Sequence, residues 1–117
     1  IFNKYFLRKE DPIILKILIN LFQAVRITWQ QEWDNPDTSI LTKTTGYTGI
    51  MKALPDLIKN GESKNNLSLS YFKNVFGKVK QILDGRHIKL DSKNFPPSSD
   101  SENTLKVIIV EALTSIN

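Results

Sequence analysis

Histidine and cysteine are the side chains that most often carry catalysis or bind transition metals, and this sequence has almost none of either. His87 is the single histidine among the 117 residues, and there is no cysteine. The missing thiols exclude disulfides, cysteine-ligated zinc and thiol nucleophiles, and one imidazole does not make an ordinary zinc site. A general-base role for His87 is chemically open, but the residue directly follows a predicted helix end, where surface loops lie. We interpret it as a non-catalytic loop residue and predict no catalytic residue, cofactor or metal in this chain.

Three acids, Glu32, Asp34 and Asp37, cluster where a predicted helix passes into a loop. Such side chains usually solvate a turn or cap backbone amides. Weak binding of a divalent cation is the alternative interpretation. Because the cluster lacks the glycine and the terminal glutamate of a calcium-binding loop, we predict a turn.

A stretch rich in threonine and glycine, residues 44–49, lies at the start of the second predicted helix. Threonine hydroxyls at a helix amino end can hold one phosphate. The stretch nevertheless lacks the Gly-Lys-Ser/Thr ending of a P-loop and the third glycine of a dinucleotide-binding motif. We therefore predict that Thr44 or Thr45 caps the helix and that Gly49 permits close helix packing.

Positive charge is concentrated in the middle of the chain. The net charge is +4, and the segment from Lys43 to Lys93 contains ten lysine or arginine residues but only four acids. A basic surface of this kind would contact nucleic-acid phosphates and not bases; the alternative is a solvated lysine surface with no partner. Tyr71 and Phe95, unlike the other aromatic residues, are expected away from the core, Tyr71 beside these lysines. The candidate phosphate contacts are Lys73, Lys78, Lys80, Arg86, Lys89 and Lys93.

Four segments have the apolar spacing of amphipathic helices. They cover residues 12–33, 45–61, 68–85 (starting at Ser68 or Ser70) and 99–117. No strand pattern of any length occurs except at residues 1–7, and residues 86–90 are the other candidate for a short extended piece. We predict an all-α fold, a compact bundle of four to five helices, with or without a short amino-terminal strand.

Single residues refine this helical prediction. Apolar residues surround nearly the whole first helix, which predicts a central, buried position. Pro55 predicts a kink or a split in the second helix. Gly61 and Gly85 predict the ends of the second and third helices, Gly85 in a left-handed conformation. Ser99 and Glu102 have the spacing of a capping box at the start of the last helix.

The length suits one domain, and the sequence predicts where it lies in a larger protein. Residues 12–117 are expected to form a single helical domain. Residues 1–11 are expected to connect it to a missing upstream region, since the first residue is not methionine. The opening stretch lacks the apolar core of a secretory signal, and residues 13–29 are interrupted by Lys16 and Arg26, which argues against a membrane span. Together with the absence of cysteine, these features predict a cytoplasmic location.

Three stretches in this order resemble a known family. They are residues 29–33 with the loop that follows, the segment Ser39 to Leu54 with its Thr-Gly steps, and Phe95-Pro96-Pro97-Ser98-Ser99 ahead of a closing helix. The order is similar to the carboxy-terminal helical region of DGQHR-motif proteins, the DndB-like proteins associated with bacterial DNA phosphorothioate modification and defence islands. The chain departs from the family at Pro96-Pro97, where the family has glycine. The DGQHR motif itself belongs to a preceding domain, so no functional residue is carried over.

The resemblance implies that a ParB-like domain precedes this chain, which would then pack on that domain or mediate assembly. The first hypothesis is therefore a non-enzymatic helical binding and assembly domain of a DNA-associated bacterial protein. A purely structural or protein-interaction domain without nucleic-acid contact is the first alternative. The second alternative is a fragment of an enzyme whose site lies mainly in the missing region, with Thr44, Thr45 and His87 as its local contributions.

Overall fold

The computed structural model describes residues 11–37 and 39–116 of the chain. Helices dominate these residues, and no strand occurs among them. This confirms the predicted all-α bundle of four to five helices. The strand considered at residues 1–7 and the connection proposed for residues 1–11 lie outside the described residues, apart from Asp11. The helices are α1 (Asp11–Thr28), α2 (Gln30–Trp33), α3 (Thr44–Ser63), α4 (Leu69–Gly85) and α5 (Ser99–Ser115).

The four long helices form two parallel pairs. In the first pair, α1 and α4 run in the same direction. Asn20, in the middle of α1, contacts the carbonyl of Leu67 just before α4, and Thr28, at the end of α1, contacts Lys80 further along α4. In the second pair, α3 and α5 run together from the Lys52–Glu102 ion pair to the contact of Lys64 with the carbonyl of Ile116. Helix α4 also packs on α5 and so joins the two pairs around one core.

The buried faces of α4 and α5 follow the predicted spacing, and so does that of α3 except at Tyr47, which the spacing placed on the buried face and which is 52% exposed. Helix α3 remains one helix through Pro55, so the predicted split is wrong. Pro55 is exposed while its neighbours Leu54, Leu57 and Ile58 are buried. Packing on that inner side offsets the hydrogen bond that the proline ring removes, which by itself costs on the order of 3 kcal/mol.

Serine side chains cap the amino ends of α4 and α5. Ser68 accepts a hydrogen bond from the amide of Tyr71, as one of the two predicted starts requires. For α5 the cap is Ser98, which accepts from the amide of Ser101 at 3.2 Å. The predicted capping box was therefore shifted by one residue, and Glu102 instead pairs with Lys52 at 3.0 Å.

Helix α3 begins without the threonine cap that the sequence predicted. Its first flanking residue is Lys43, and no side chain caps the helix there. Thr45 is buried in the first turn. The turn is fixed instead by backbone hydrogen bonds, since the amide of Tyr47 donates to the carbonyl of Lys43.

Non-glycine residues, and not the predicted glycines, form the left-handed ends of α3 and α4. Asn65 and His87 have φ values of 52° and 56°, and no described glycine has a positive φ. After α4, the amide of Ile88 donates to the carbonyl of Leu83 and the amide of His87 to that of Asp84. This hydrogen-bond pair is the Schellman motif. Its left-handed position is His87, two residues beyond Gly85, so the single histidine has a structural place in the fold.

Helix α1 lies at the edge of the bundle, which corrects its predicted central position. The continuous helix predicted over residues 12–33 is also interrupted at Trp29, whose φ and ψ of −122° and 56° are not helical. The inner side of α1 packs on α4, and among the helices of residues 11–37 and 39–116 no other long helix packs closely on α1. Apolar side chains all round a helix predict burial only if enough neighbours exist to cover it. Large side chains therefore stay exposed on α1, at Ile13, Leu15, Ile19 and Ile27.

Two loops close one end of the bundle by pairing with each other. The amide of Ile40 donates to the carbonyl of Leu90 at 3.0 Å, beside an isolated antiparallel bridge between Ser39 and Asp91. The buried side chains of Ile40 and Leu90 anchor this contact in the core. The loop before α3 is thereby fixed to the loop before α5.

Candidate binding surfaces

Two of the predicted phosphate contacts share the open side of α4. Lys73 and Lys80 are seven residues apart, so they lie on one face of the helix, and both are exposed. Gly77 lies between them and presents no side chain. Lys78 is half-buried on a different side of the same helix, away from this pair. The Nζ of Lys80 lies 3.4 Å from the carbonyl oxygen of Thr28 at the end of α1.

The remaining candidates follow α4 and lie close to acids. Arg86 forms a two-pronged ion pair with Glu111 of α5, with N–O distances of 2.6 and 3.3 Å. The hydrogen bond and the charge of Glu111 raise the pKa of the Arg86 guanidinium. This pairing engages the groups that a phosphate would use.

Lys89 and Lys93 are exposed in the loop between α4 and α5, on either side of Asp91. The amide of Asn94 donates to the Asp91 carboxylate at 2.9 Å. That hydrogen bond lowers the pKa of Asp91 most, and the charge of Lys89 lowers it further. The structure therefore groups Lys73 with Lys80 and places Lys89 and Lys93 in a loop of mixed charge.

A recess of about 470 Å³ lies where this loop meets the ends of α1 and α4. Its polar lining has three carboxylates, Glu32, Asp84 and Asp91, and two ammonium groups, Lys80 and Lys89. No group of three or more histidines and acids in residues 11–37 and 39–116 is arranged to hold a metal ion. Neither Thr44 nor His87 lines this recess, so the residues named for an enzyme fragment are not brought together there.

The acids predicted to form a turn do not act as one cluster. Asp34 accepts a hydrogen bond from Gln30 at 3.0 Å on the short helix α2. Glu32 contributes to the recess of mixed charge, while Asp37 is exposed in the following loop. The three acidic side chains therefore have different surroundings.

The glycines at the start of α3 serve packing. A methyl group on Gly49 would lie 2.8 Å from a methyl carbon of Leu105, so the predicted role of Gly49 in close helix packing is confirmed. Gly46 has a tighter environment, which the sequence did not reveal. A methyl group there would collide with the carbonyl oxygen of Ile40. This first turn is filled by protein on the side of Gly46 and leaves no phosphate cradle there.

Tyr71 and Phe95 are both buried, which corrects the expectation that they lie outside the core. The hydroxyl of Tyr71 lies 2.8 Å from the carbonyl oxygen of Leu57 and 2.8 Å from the Oδ1 of Asn60. Burial raises the pKa of Tyr71 to about 12. The phenol thus joins the start of α4 to the second half of α3 and is not a stacking surface.

An apolar surface on α1 is the feature that sequence reasoning missed. Leu15 and Ile19 are 60% and 54% exposed. Phe22 follows on the same line of the helix and stacks on Tyr47 of α3, with ring centroids 5.7 Å apart and an interplanar angle of 8°. Beyond this stack lies a recess of about 320 Å³, lined by Phe22, Trp33, Leu41, Thr42 and Tyr47. The signal in the sequence was the surplus of apolar residues on α1, which we had interpreted as burial.

None of the helices in the described part of the chain combines the length and apolar content needed to cross a lipid bilayer.

Known proteins provide no further guide to the use of these surfaces. The chain matches no protein-family model, no curated protein and no solved structure. The resemblance to DndB-like proteins therefore stays a prediction.

Proposed function

We propose that this chain is a non-enzymatic helical binding and assembly domain of a cytoplasmic, DNA-associated bacterial protein. The observation that carries the proposal is the outer side of α1, where Leu15 and Ile19, one turn apart, are 60% and 54% exposed beside the stack of Phe22 on Tyr47. Contiguous exposed apolar surface on a folded domain marks a site of protein–protein contact more often than a solvated face. The connection with DNA rests on the resemblance to DndB-like proteins.

Photo-crosslinking in the cells that produce the protein tests the assembly role. Benzoylphenylalanine is placed at Leu15 on α1 in one variant and, as a matched control, at Val107 on α5 in another. Val107 is also a large exposed aliphatic residue, at 56% exposure, but lies away from α1. We expect a light-dependent adduct of defined mass from position 15 and little or none from position 107. Equal yields from both positions, or no adduct from position 15, would remove the basis for the proposal.

A second role, direct contact with DNA phosphates, is favoured by the shared exposed face of Lys73 and Lys80 on α4. Its test is binding to short fluorescent DNA duplexes at several salt concentrations. We expect binding that weakens steeply with salt, because each neutralised phosphate releases condensed counterions. Replacing both lysines by glutamate should weaken binding at least about tenfold at low salt.

The matched control for this DNA measurement is Lys59→Glu, which reverses one exposed lysine on α3. It should leave the affinity nearly unchanged. If no duplex binds even at low salt, or if Lys59→Glu weakens binding as much as the pair on α4, this domain does not contact DNA through α4. The assembly role would then stand alone.

A further inference from the structure

The uncovered side of α1 has an ordered arrangement that specifies its partner. Leu15, Ile19 and Phe22 follow one another at intervals of four and three residues, so they form a straight line along the helix. Tyr47 extends this line across to α3 through its stack on Phe22. We call these four residues the α1 stripe. The spacing is that of the apolar seam by which one helix packs along another.

The α1 stripe ends at a shallow, open recess. Trp33 and Leu41 complete the walls of this recess with Phe22 and Tyr47, and its volume of about 320 Å³ has room for a large apolar side chain. Buried apolar anchors in such pockets dominate the energetics of protein–protein contacts.

The charge around the stripe disfavours one occupant, a second copy of α1. After Asp11, helix α1 has no acidic residue, and its only charged residues are Lys16 and Arg26. Both are exposed. Two copies packed through α1 would bring together only cations. A partner with acids beside its apolar face would instead pair with Lys16 and Arg26.

We propose that the α1 stripe docks an amphipathic helix of a partner protein, with apolar residues at intervals of three and four and with glutamate or aspartate placed to pair with Lys16 beside the stripe and Arg26 at its end. One apolar side chain of that helix fills the recess between Phe22, Trp33 and Tyr47. The inference rests on the proposed assembly function and identifies its partner class. Recognition of an apolar helical face by a groove, with flanking charges that set specificity, is a recurring mode of association.

Binding of two designed peptides to the whole chain, followed by fluorescence anisotropy, tests this inference. Both peptides are helical, of roughly 18 residues, with leucines at the same positions. One has glutamates along the edges of its leucine face and the other has lysines. We expect the glutamate peptide to bind at least about tenfold more tightly at low salt, with the difference shrinking as salt rises.

Two variants and one control assign the binding to the stripe. Ile19→Glu should lower the affinity for the glutamate peptide at least about tenfold, because it places a charge in the apolar contact. Arg26→Glu should abolish the preference between the peptides, because it leaves one cation, Lys16, and one acid beside the stripe. Val107→Glu, at an equally exposed aliphatic position on α5, should change neither affinity. Since these side chains are exposed, all three proteins are expected to fold, which circular dichroism checks.

Several results would overturn the inference. They are equal affinity for the two peptides, no binding of either, or an effect of Val107→Glu as large as that of Ile19→Glu. Self-association lost in Ile19→Glu would assign the stripe to a second copy. Binding to phosphatidylglycerol vesicles lost in the same variant would assign it to lipid. If crosslinks arise from position 15 but the peptide measurements contradict the inference, the assembly function survives with another kind of partner. If neither crosslinks nor peptide binding are observed, the assembly function fails too.

Discussion

Alanine at Gly46 is expected to lower the free energy of unfolding by about 3 kcal/mol, a large loss for a domain of this size. The added methyl group would collide with the backbone carbonyl oxygen of Ile40. That oxygen already accepts a hydrogen bond from the amide of Lys43 at 3.0 Å, and the amide of Ile40 donates to Leu90. Because the obstacle is hydrogen-bonded backbone in a buried segment, it cannot rotate away as a side chain would.

Two other glycines provide graded controls for this prediction, measured by urea denaturation. Gly49→Ala should cost less than Gly46→Ala, since the atoms it meets belong to the side chain of Leu105. Gly77→Ala meets nothing within 4 Å in the middle of α4. It should stabilise the protein by about 0.5–1 kcal/mol through helix propensity. Similar effects at all three positions would show that the contact between Gly46 and Ile40 does not hold α3 in place.

Raising the pH from 9.5 to 12 is expected to remove about 2–3 kcal/mol of stability through Tyr71 alone. Burial raises its pKa from 10.0 to about 12 in the folded protein. The unfolded chain therefore loses its phenolic proton first, and the folded state is penalised as the pH rises from 10 towards 12. Below pH 10 the phenol is protonated in both states, so the contribution is fully present there.

Comparison with Tyr71→Phe isolates this effect from other groups that titrate at alkaline pH. The variant should be less stable than the parent by about 1–2 kcal/mol at neutral pH, because it loses the hydroxyl contact with Leu57 and Asn60. It should also lose less stability than the parent at pH 12. Tyr47→Phe, at an exposed tyrosine, serves as the matched control for loss of a hydroxyl and should lower the stability at neutral pH less than Tyr71→Phe does. Parallel pH profiles for the parent and Tyr71→Phe would contradict the assignment.

Much of the fold was predictable from local sequence pattern. Apolar residues at intervals of three and four identified the inner faces of α4 and α5, because a helix of that spacing has one side to bury. Ser68 was recognised as one of two candidate starts because its hydroxyl can accept from a backbone amide two or three residues on. Each of these features depends on residues within one or two turns of each other.

The sequence was a poorer guide wherever a distant contact competes with the local pattern. Pro55 does not split α3, since burial of the flanking side chains outweighs one missing hydrogen bond. The left-handed position predicted for Gly85 lies at His87, two residues later. The reason is that the Schellman hydrogen bonds are donated by the amides of His87 and Ile88. Tyr71 is buried because its hydroxyl finds acceptors on α3, which lie 11 and 14 residues away in sequence.

By itself, the sequence determined that this chain folds into helices, that it carries no thiol chemistry, and which faces of the later helices are apolar. Composition and short-range spacing are sufficient for these conclusions because they concern one residue or one helix at a time. Only the tertiary structure decided which apolar faces are covered. Helix α1 is as apolar as a central helix, but within the described part of the chain α4 is the only long helix that packs closely on it. Burial depends on how many neighbours the rest of the chain supplies, and that number is a property of the assembled bundle.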